Sequence, residues 1–473
     1  YEMLKSEVFF ISQDAAPKDS DEIVKDEEIY DFEDAAKNTD DLIKKAIEQQ
    51  VQEQAPTGFE PEKTVNQAAR PIIESLQKPI VAKAPNPAIE ALGPTGSIET
   101  SIIRKIIQQD FSNNNIHSIA VLLPFTGSLS APAKAIKQAI ITAYYQDPNQ
   151  AKPEIDFIDT QNKPEQIVQI YNTALKNNPD VIIGPLDKPS VENLNKYLAN
   201  TNHPTVIALN YTSNSVLPDA NFFQFGISAE DEAEQAARKI ISDGFSKSLV
   251  FADNSAWGER VSNVYRSQFQ KMGGKVLRVV RINNNSNLKN LISKVIDTEQ
   301  SQTRKNTLEL VLNQKVAFTP RRRQDFDHIF LVTSPVIAKQ VKPILKFYYA
   351  DNLKVISTSS IYEAKVNNNI SDLDGIQFCD IPWIIQNNPA QNQLLATLRS
   401  TWPDSSNNLR LYAMGIDAYN LTYNLNKLKA SNNTALASNT GNLYLTGSNK
   451  IQRSLAWAVI QNGQPKSLNI SQL

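Results

Sequence analysis

The stretch SIAVLLPFTGSLSAPAKAIKQAIITAYYQDPNQAKPEIDFIDTQNKPEQIVQIYNTALKNNPDVIIGPLDK, residues 118–188, sets the architecture. A β-branched run at 116–123 is followed by an amphipathic helix over 131–146, a strand over 154–159, a helix over 164–177 and a strand over 181–184. Strands separated by helices of about 10–15 residues are βαβ units, because a parallel partner needs a crossover of that size. Pro124 and Gly127 close the first strand and Gly184-Pro185 the third.

The rhythm runs on through a helix at 188–199, a strand at 205–210 and a short strand at 222–226. It then restarts: helices over 228–243, 257–272, 288–297 and 335–349 alternate with strands over 248–253, 276–282, 328–333 and 354–358. Two successive α/β units of similar length predict two lobes of one architecture. Past 376 the pattern loosens into a strand at 376–380, helices near 390–399 and 410–428, and a terminal hairpin pairing 442–446 with 451–460.

Toward the N-terminus the texture is different. Residues 14–53 hold fourteen acids against five lysines, a net charge of −9 that leaves +7 for the rest of a chain whose total is −2. Residues 55–96 are interrupted by Pro56, Pro61, Pro71, Pro79, Pro85, Pro87 and Pro94, which break any helical period. Residues 1–115 therefore read as an acidic, Pro-rich and largely disordered segment, with short helices at 40–54 and 97–109. The chain starts at Tyr1 without a basic region and apolar core typical of a leader, so it reads as processed or trimmed.

Composition excludes several classes. At 473 residues, 41% of them hydrophobic, the chain holds two or three domains with a sizeable core. The balanced charge gives no footprint for nucleic acid. The single Cys379 and the scattered His117, His203 and His328 form neither a disulfide framework nor a metal cluster. No run approaches ~18 apolar residues, so no membrane span is predicted. There is no nucleophile elbow, phosphate loop, zinc-protease motif or dinucleotide fingerprint, and Glu230-Asp231-Glu232 is explained by the dipole of the helix it starts. No catalytic residue, cofactor or metal is expected.

Four places remain as binding candidates. The loop PFTGSLS (124–130) sets Thr126 and Ser128 at the carboxyl end of a parallel strand, where ligands collect in open sheets; a turn with a helix cap uses the same residue types. Asn210 and Tyr211 follow the fourth strand and face the same side. Trp257 opens a helix at the mouth between the lobes, where plain packing also accounts for it. Arg321, Arg322 and Arg323 form the strongest local charge cluster, suited to pairing with nearby acids or to a protein contact.

Together these segments resemble the LpoA-type penicillin-binding protein activators, the LppC lipoprotein family. The resemblance is carried by SIAVLLPFTG (118–127), VIIGPLDK (181–188), ALNY (208–211), FQFGISAEDEAEQAA (223–237), WGERV (257–261), RRRQDFDHIFLVTSP (321–335), KPILKFYYA (342–350), GIQFCDIPW (375–383), RLYAMGIDAYNL (410–421) and LAWAVIQNGQP (455–465). It implies a two-lobed type I periplasmic-binding-protein-like fold over 116–473, crossed three times by the chain, with one lobe from 116–226 and 352–430 and the other from 227–351 and 431–473. It also implies a non-enzymatic protein of the periplasm, associated with the outer membrane, that stimulates peptidoglycan synthesis by contacting a class A penicillin-binding protein. Family members are anchored through a lipidated N-terminal cysteine, which Cys379 cannot supply, so membrane attachment requires that a lipidated N-terminus has been removed from this chain. The alternative is a periplasmic solute-binding receptor holding an amino acid, peptide or cell-wall fragment between its lobes.

Overall fold

A computed structural model describes residues 104–468 apart from 113–115, 213–218, 284–286, 364–369, 387–388 and 432. The described chain begins with β1 (Lys105–Ile107), after which strands and helices follow the sequence closely: β2 (Ser118–Leu123), α1 (Ser130–Gln146), β3 (Glu154–Asp159), α2 (Ile167–Ala174), β4 (Val181–Ile183), α3 (Lys188–Leu198), β5 (Thr205–Ala208) and β6 (Phe222–Phe225). Then come α4 (Ala229–Ser242), β7 (Lys247–Asp253), α5 (Ala256–Lys271), β8 (Lys275–Ile282), α6 (Leu288–Ile296), α7 (Thr298–Leu312), β9 (His328–Val332), α8 (Pro335–Phe347), β10 (Lys354–Ser357) and β11 (Ile376–Asp380). The chain ends through α9 (Pro382–Ile385), α10 (Pro389–Thr401), α11 (Leu409–Ala430), β12 (Thr434–Ser438), β13 (Gly441–Leu445), β14 (Lys450–Ser454), β15 (Ala456–Gln461) and β16 (Gln464–Ser467).

Among the described residues the strands form two sheets, ordered β1-β12-β13-β14-β6-β5-β4-β2-β3 and β16-β15-β11-β10-β9-β7-β8. Neighbours from β6 through β3, and from β11 through β8, are parallel. Alternate residues of the first sheet serve opposite faces: Ile119, Val121 and Leu123 join one core, Ala120 and Leu122 another. In the second sheet Val250 and Ala252 point one way and Leu249 and Phe251 the other. Both faces of each sheet are thus covered, which is why the strands read as continuous apolar runs. The Val250 face and the Ile119 face belong to a single core cluster, so the lobes share buried apolar contact.

Two glycines set close approaches. Gly184, at φ +102°, ends β4 where a Cβ would lie 2.2 Å from the Leu122 carbonyl oxygen. Gly415 lets α11 lie directly on α1, since a Cβ there would sit 2.6 Å from that of Ala139.

The chain crosses between the sheets at three points, as the family resemblance implies: from β6 into α4 and β7, from β11 into α11, and from β14 to β15 across the single residue Leu455. The positions of the last two differ from expectation. Strands β10 and β11 lie in the second sheet, not in the lobe of 116–226, and β12, β13 and β14 lie in the first. Of 352–430, α11 packs on the first lobe against α1, as does Trp402, whose indole N–H donates to Thr142 of α1 at 3.1 Å. Hydrophobic pattern marks a strand without naming its partner, and these partners are chosen by long-range pairing. The expected hairpin divides for the same reason: Leu445 pairs with Ile451, but Ala456–Gln461 leaves to pair with β11.

The start of the folded body also moves. Residues 105–107 form a strand parallel to β12, not a helix. The Arg104 guanidinium lies 3.8 Å from the Tyr444 ring centroid, the Asp110 N–H donates to Asn424 at 2.8 Å, and Lys427 pairs with the Asp110 carboxylate. Isoleucines at 102, 103, 106 and 107 suit a sheet edge as well as a helix face, and a free strand edge decides between them. The 40–54 helix and the segment 1–103 lie outside the described residues.

Candidate functional site at the junction of the lobes

The polar chemistry of the molecule converges where the chain passes from lobe to lobe. Ser228 caps α4, accepting from the Asp231 N–H at 3.2 Å. That cap aims the first turn so that Glu232, 4% exposed, reaches the loop after β10, where the Ser359 N–H donates to Oε2 at 2.8 Å and its hydroxyl to Oε1 at 3.1 Å. At the end of β11 the Asp380 carboxylate, 1% exposed, takes two hydrogen bonds from Arg410: Nε to Oδ1 at 2.9 Å and Nη2 to Oδ2 at 2.6 Å. Nη2 also donates to the Ser359 and Tyr362 carbonyls. Arg453 of β14 is 1% exposed, and its three side-chain nitrogens have no hydrogen-bond partner among the described residues. Its positive charge acts through space on Asp231 and Glu232.

Burial dominates the acids' titration. It pushes Glu232 up to about 7 and Asp231 up to about 6, with Arg453 offsetting part of the effect in each case. Burial would lower the Arg410 guanidinium, but the Asp380 carboxylate more than reverses this. The Cys379 thiol, fully buried in β11, is pushed far up by burial and then by Glu232 and Asp380, so it is not an activated nucleophile.

The residues expected to bind divide among different duties. Thr126 donates its hydroxyl to Asp159 Oδ2 at 2.9 Å, and Ser128 accepts from Asn162 at 3.1 Å, so the 124–130 loop is braced by the loop after β3. Although burial raises Asp159, hydrogen bonds from Gln161, Thr126 and Phe125 hold its carboxyl below its ordinary value. Beside this loop lies a shallow depression of about 410 Å³ lined by Phe125, Ser130, Ala131, Lys134 and Lys137. Asn210 bonds the Leu186 carbonyl at 3.1 Å. Tyr211 belongs to the junction, donating to the Ile451 carbonyl at 2.9 Å, and burial and then the charge of Asp231 push its hydroxyl far up. Trp257 is half-buried at the start of α5 and packs on the shared core. Arg321, Arg322 and Arg323 lie on the connection between α7 and β9: the Arg321 N–H donates to Ser301, Arg322 donates to the Arg323 carbonyl at 2.9 Å, and Arg323 is paired with Asp325.

Two of the three histidines are built into the fold, while the His117 side chain is exposed beside Asp180. His203 bonds the Pro204 carbonyl and Asp219, and buried His328 bonds Tyr265 at 2.6 Å and Asp327 at 2.7 Å. Among the described residues no group of His, Cys, Asp and Glu is placed to hold a metal ion, and no helix is long and apolar enough to cross a membrane.

A family model described as "LppC putative lipoprotein" matches residues 100–463. The chain belongs to the LppC lipoprotein family. A curated LppC relative, the penicillin-binding protein activator LpoA of Photobacterium profundum, is 28% identical over 348 residues, covering 73% of this chain and 56% of the relative. The chain therefore spans little more than half the length of that relative. The C-domain of Haemophilus influenzae LpoA, described as a regulator of PBP1A, superposes with a TM-score of 0.56 at 25% identity, covering 74% of this chain and 99% of that one. A Chromobacterium violaceum chain described under a branched-chain amino acid ABC transporter shares the fold, with a TM-score of 0.54 at 22% identity over 73% of this chain and 100% of that one.

In this LppC chain Glu232, Ser359, Asp380, Arg410 and Arg453 are the junction residues that sequence reasoning passed over. The helix-dipole reading of Glu230-Asp231-Glu232 accounts for their place in the first turn but not for the reach of Glu232 across the junction. A usable signal was available at Asp380, which closes a strand within the apolar run IQFCDIPW, where an unpaired charge is costly.

Proposed function

We propose that this chain is the binding-protein-like part of a non-enzymatic activator, which stimulates peptidoglycan synthesis by contacting a class A penicillin-binding protein in the periplasm, at the outer membrane. The observation that carries this reading is the match to nearly the whole C-domain of Haemophilus influenzae LpoA, a regulator of PBP1A, together with family membership over residues 100–463. The junction supports it. Polar groups at the carboxyl ends of β10 and β11, the place where a two-lobed receptor would hold a solute, are bonded to groups of the same chain. Activation then works through a surface whose binding shifts the synthase toward its active state, since a regulator biases an equilibrium only by differential binding.

The test is reconstitution of the full chain with the class A synthase of its own organism, measuring co-precipitation and the rates of glycan polymerisation and crosslinking. Binding with a raised rate is expected; no binding and an unchanged rate overturn the reading. A thermal-shift screen with amino acids, peptides and cell-wall fragments tests the solute receptor in parallel, where a ligand at a hundredfold excess over Kd would add about 2.7 kcal/mol.

A further inference from the structure

Charge is spread unevenly along the folded chain. Residues 260–323, from within α5 to the connection before β9, hold fourteen lysines and arginines against three acids, a net charge of +11 in a chain whose total is −2. Two of those acids are engaged inside the lobe. Glu299 accepts from the Ser293 hydroxyl at 2.7 Å, and Glu309 pairs with Lys305 at 2.6 Å and accepts the Val316 N–H at 3.0 Å. Lys294 of α6, Arg304 of α7, Lys315 and Arg321 are exposed and pair with no acid among the described residues.

The backbone gathers part of this charge around one helix end. The connection after α7 runs back beside the helix: the Val316 N–H reaches Glu309, the Arg321 N–H donates to the Ser301 hydroxyl at 3.1 Å, and the Arg323 N–H donates to the Ile296 carbonyl at 2.9 Å. Lys315 therefore stands just past the last turn, and Arg304 lies four residues before Leu308, on the same face. Between these cations Leu310 and Val311 are more than three-quarters exposed, and Leu308 and Leu312 about half.

The excess of positive charge calls for an anionic partner, and the helix end selects its kind. Consecutive residues point about 100° apart on a helix, so Leu310, Val311 and Leu312 cover much of the circumference. A protein groove covers one face of a helix, whereas hydrocarbon closes around an end inserted into it. The four side chains are also purely aliphatic, where protein interfaces seat aromatic anchors.

We propose that the end of α7 is a membrane-docking tip: its aliphatic side chains enter the headgroup–acyl boundary of an anionic bilayer, while Arg304 and Lys315 hold lipid phosphates beside it. At that depth water still reaches the last carbonyls of the helix, and long cationic side chains extend to phosphate level. Lys294, Arg321 and the other exposed cations of 260–323 supply a longer-range attraction that salt screens. The docking is a property of this chain alone and stands apart from the synthase reading.

Co-sedimentation of the full chain with phosphatidylcholine vesicles containing about one-third phosphatidylglycerol, against phosphatidylcholine alone, reads the docking. Binding is expected to the anionic vesicles only, and should weaken at least about tenfold between about 50 and 500 mM salt. Leu310→Asp with Val311→Asp, and Arg304→Glu with Lys315→Glu, should each weaken it about tenfold or more. Lys176→Glu with Lys196→Glu, on the other lobe, should leave it unchanged. All six positions are exposed, and an unaltered melting temperature without lipid separates loss of docking from loss of fold. No binding to the anionic vesicles at low salt, binding that either tip variant retains, or an equal loss in the pair on the other lobe overturns the docking. Loss of synthase co-precipitation in the tip variants with vesicle binding retained assigns the face to an acidic protein and likewise overturns it.

Discussion

The lobe junction and the far end of α7 invert the usual rule in opposite senses. At the junction, charges lie inside: Glu232, Asp380 and Arg453 are each under a tenth exposed. At the end of α7, apolar side chains lie outside, with Leu310 82% and Val311 76% exposed and Leu308 and Leu312 near half. The acids of the α7 region are nevertheless spent within it, Glu299 on Ser293, Glu309 on Lys305 and the Val316 N–H, Asp325 on Arg323. The two regions teach that placement follows the density of partners. A buried charge persists where strand ends from several crossings supply counter-charges and donors, while a helix that buries only Thr298 and Ser301 leaves its leucines in water.

Breaking the junction should have the largest effect. Arg410→Ala leaves Asp380 buried and uncompensated, with an expected loss of about 3–5 kcal/mol in chemical denaturation. A loss under about 1 kcal/mol would mean that water replaces the guanidinium freely, and the contrast with α7 would fall.

The arginine triplet sharpens the comparison, being charged yet on the surface side. Arg322 holds two carbonyls and lies 5.2 Å from the Phe326 ring centroid, so Arg322→Ala should lower stability by about 1 kcal/mol. Arg321→Ala should change it by no more than about 0.5 kcal/mol, because the Arg321 backbone and not its side chain makes the bond to Ser301. Melting temperatures of the two variants side by side decide this; equal losses would show that the triplet acts as a unit.

The smallest effect is expected at the exposed end. Leu310→Asp and Val311→Asp should stay within about 0.5 kcal/mol of the parent in the same denaturation experiment. A larger loss would mean that these side chains are covered in solution.

Much of the fold was legible because its periods are local. The alternation of strand and helix over 118–357 needed only short-range patterning, and apart from α7 (Thr298–Leu312), which the pattern does not place, the observed elements begin within a few residues of where it puts them. Strand Lys105–Ile107 was not legible, since its isoleucines satisfy either period and β12, over three hundred residues away, makes the choice. The candidate site was legible only at Tyr211. Thr126 and Ser128 were read as binding candidates, and in the structure Asp159 and Asn162 on the neighbouring loop take up their hydrogen bonds.

By itself the sequence determined that this is a two-lobed α/β protein, because apolar period and turn residues act over a few residues and are written in order along the chain. The tertiary structure alone decided which strands share a sheet and which charges meet. Asp231, Glu232, Asp380, Arg410 and Arg453 are spread over more than two hundred residues and carry no common motif. They become one network only because three crossings bring their strand and helix ends to the same buried place, where the cost of an uncompensated charge selects their partners.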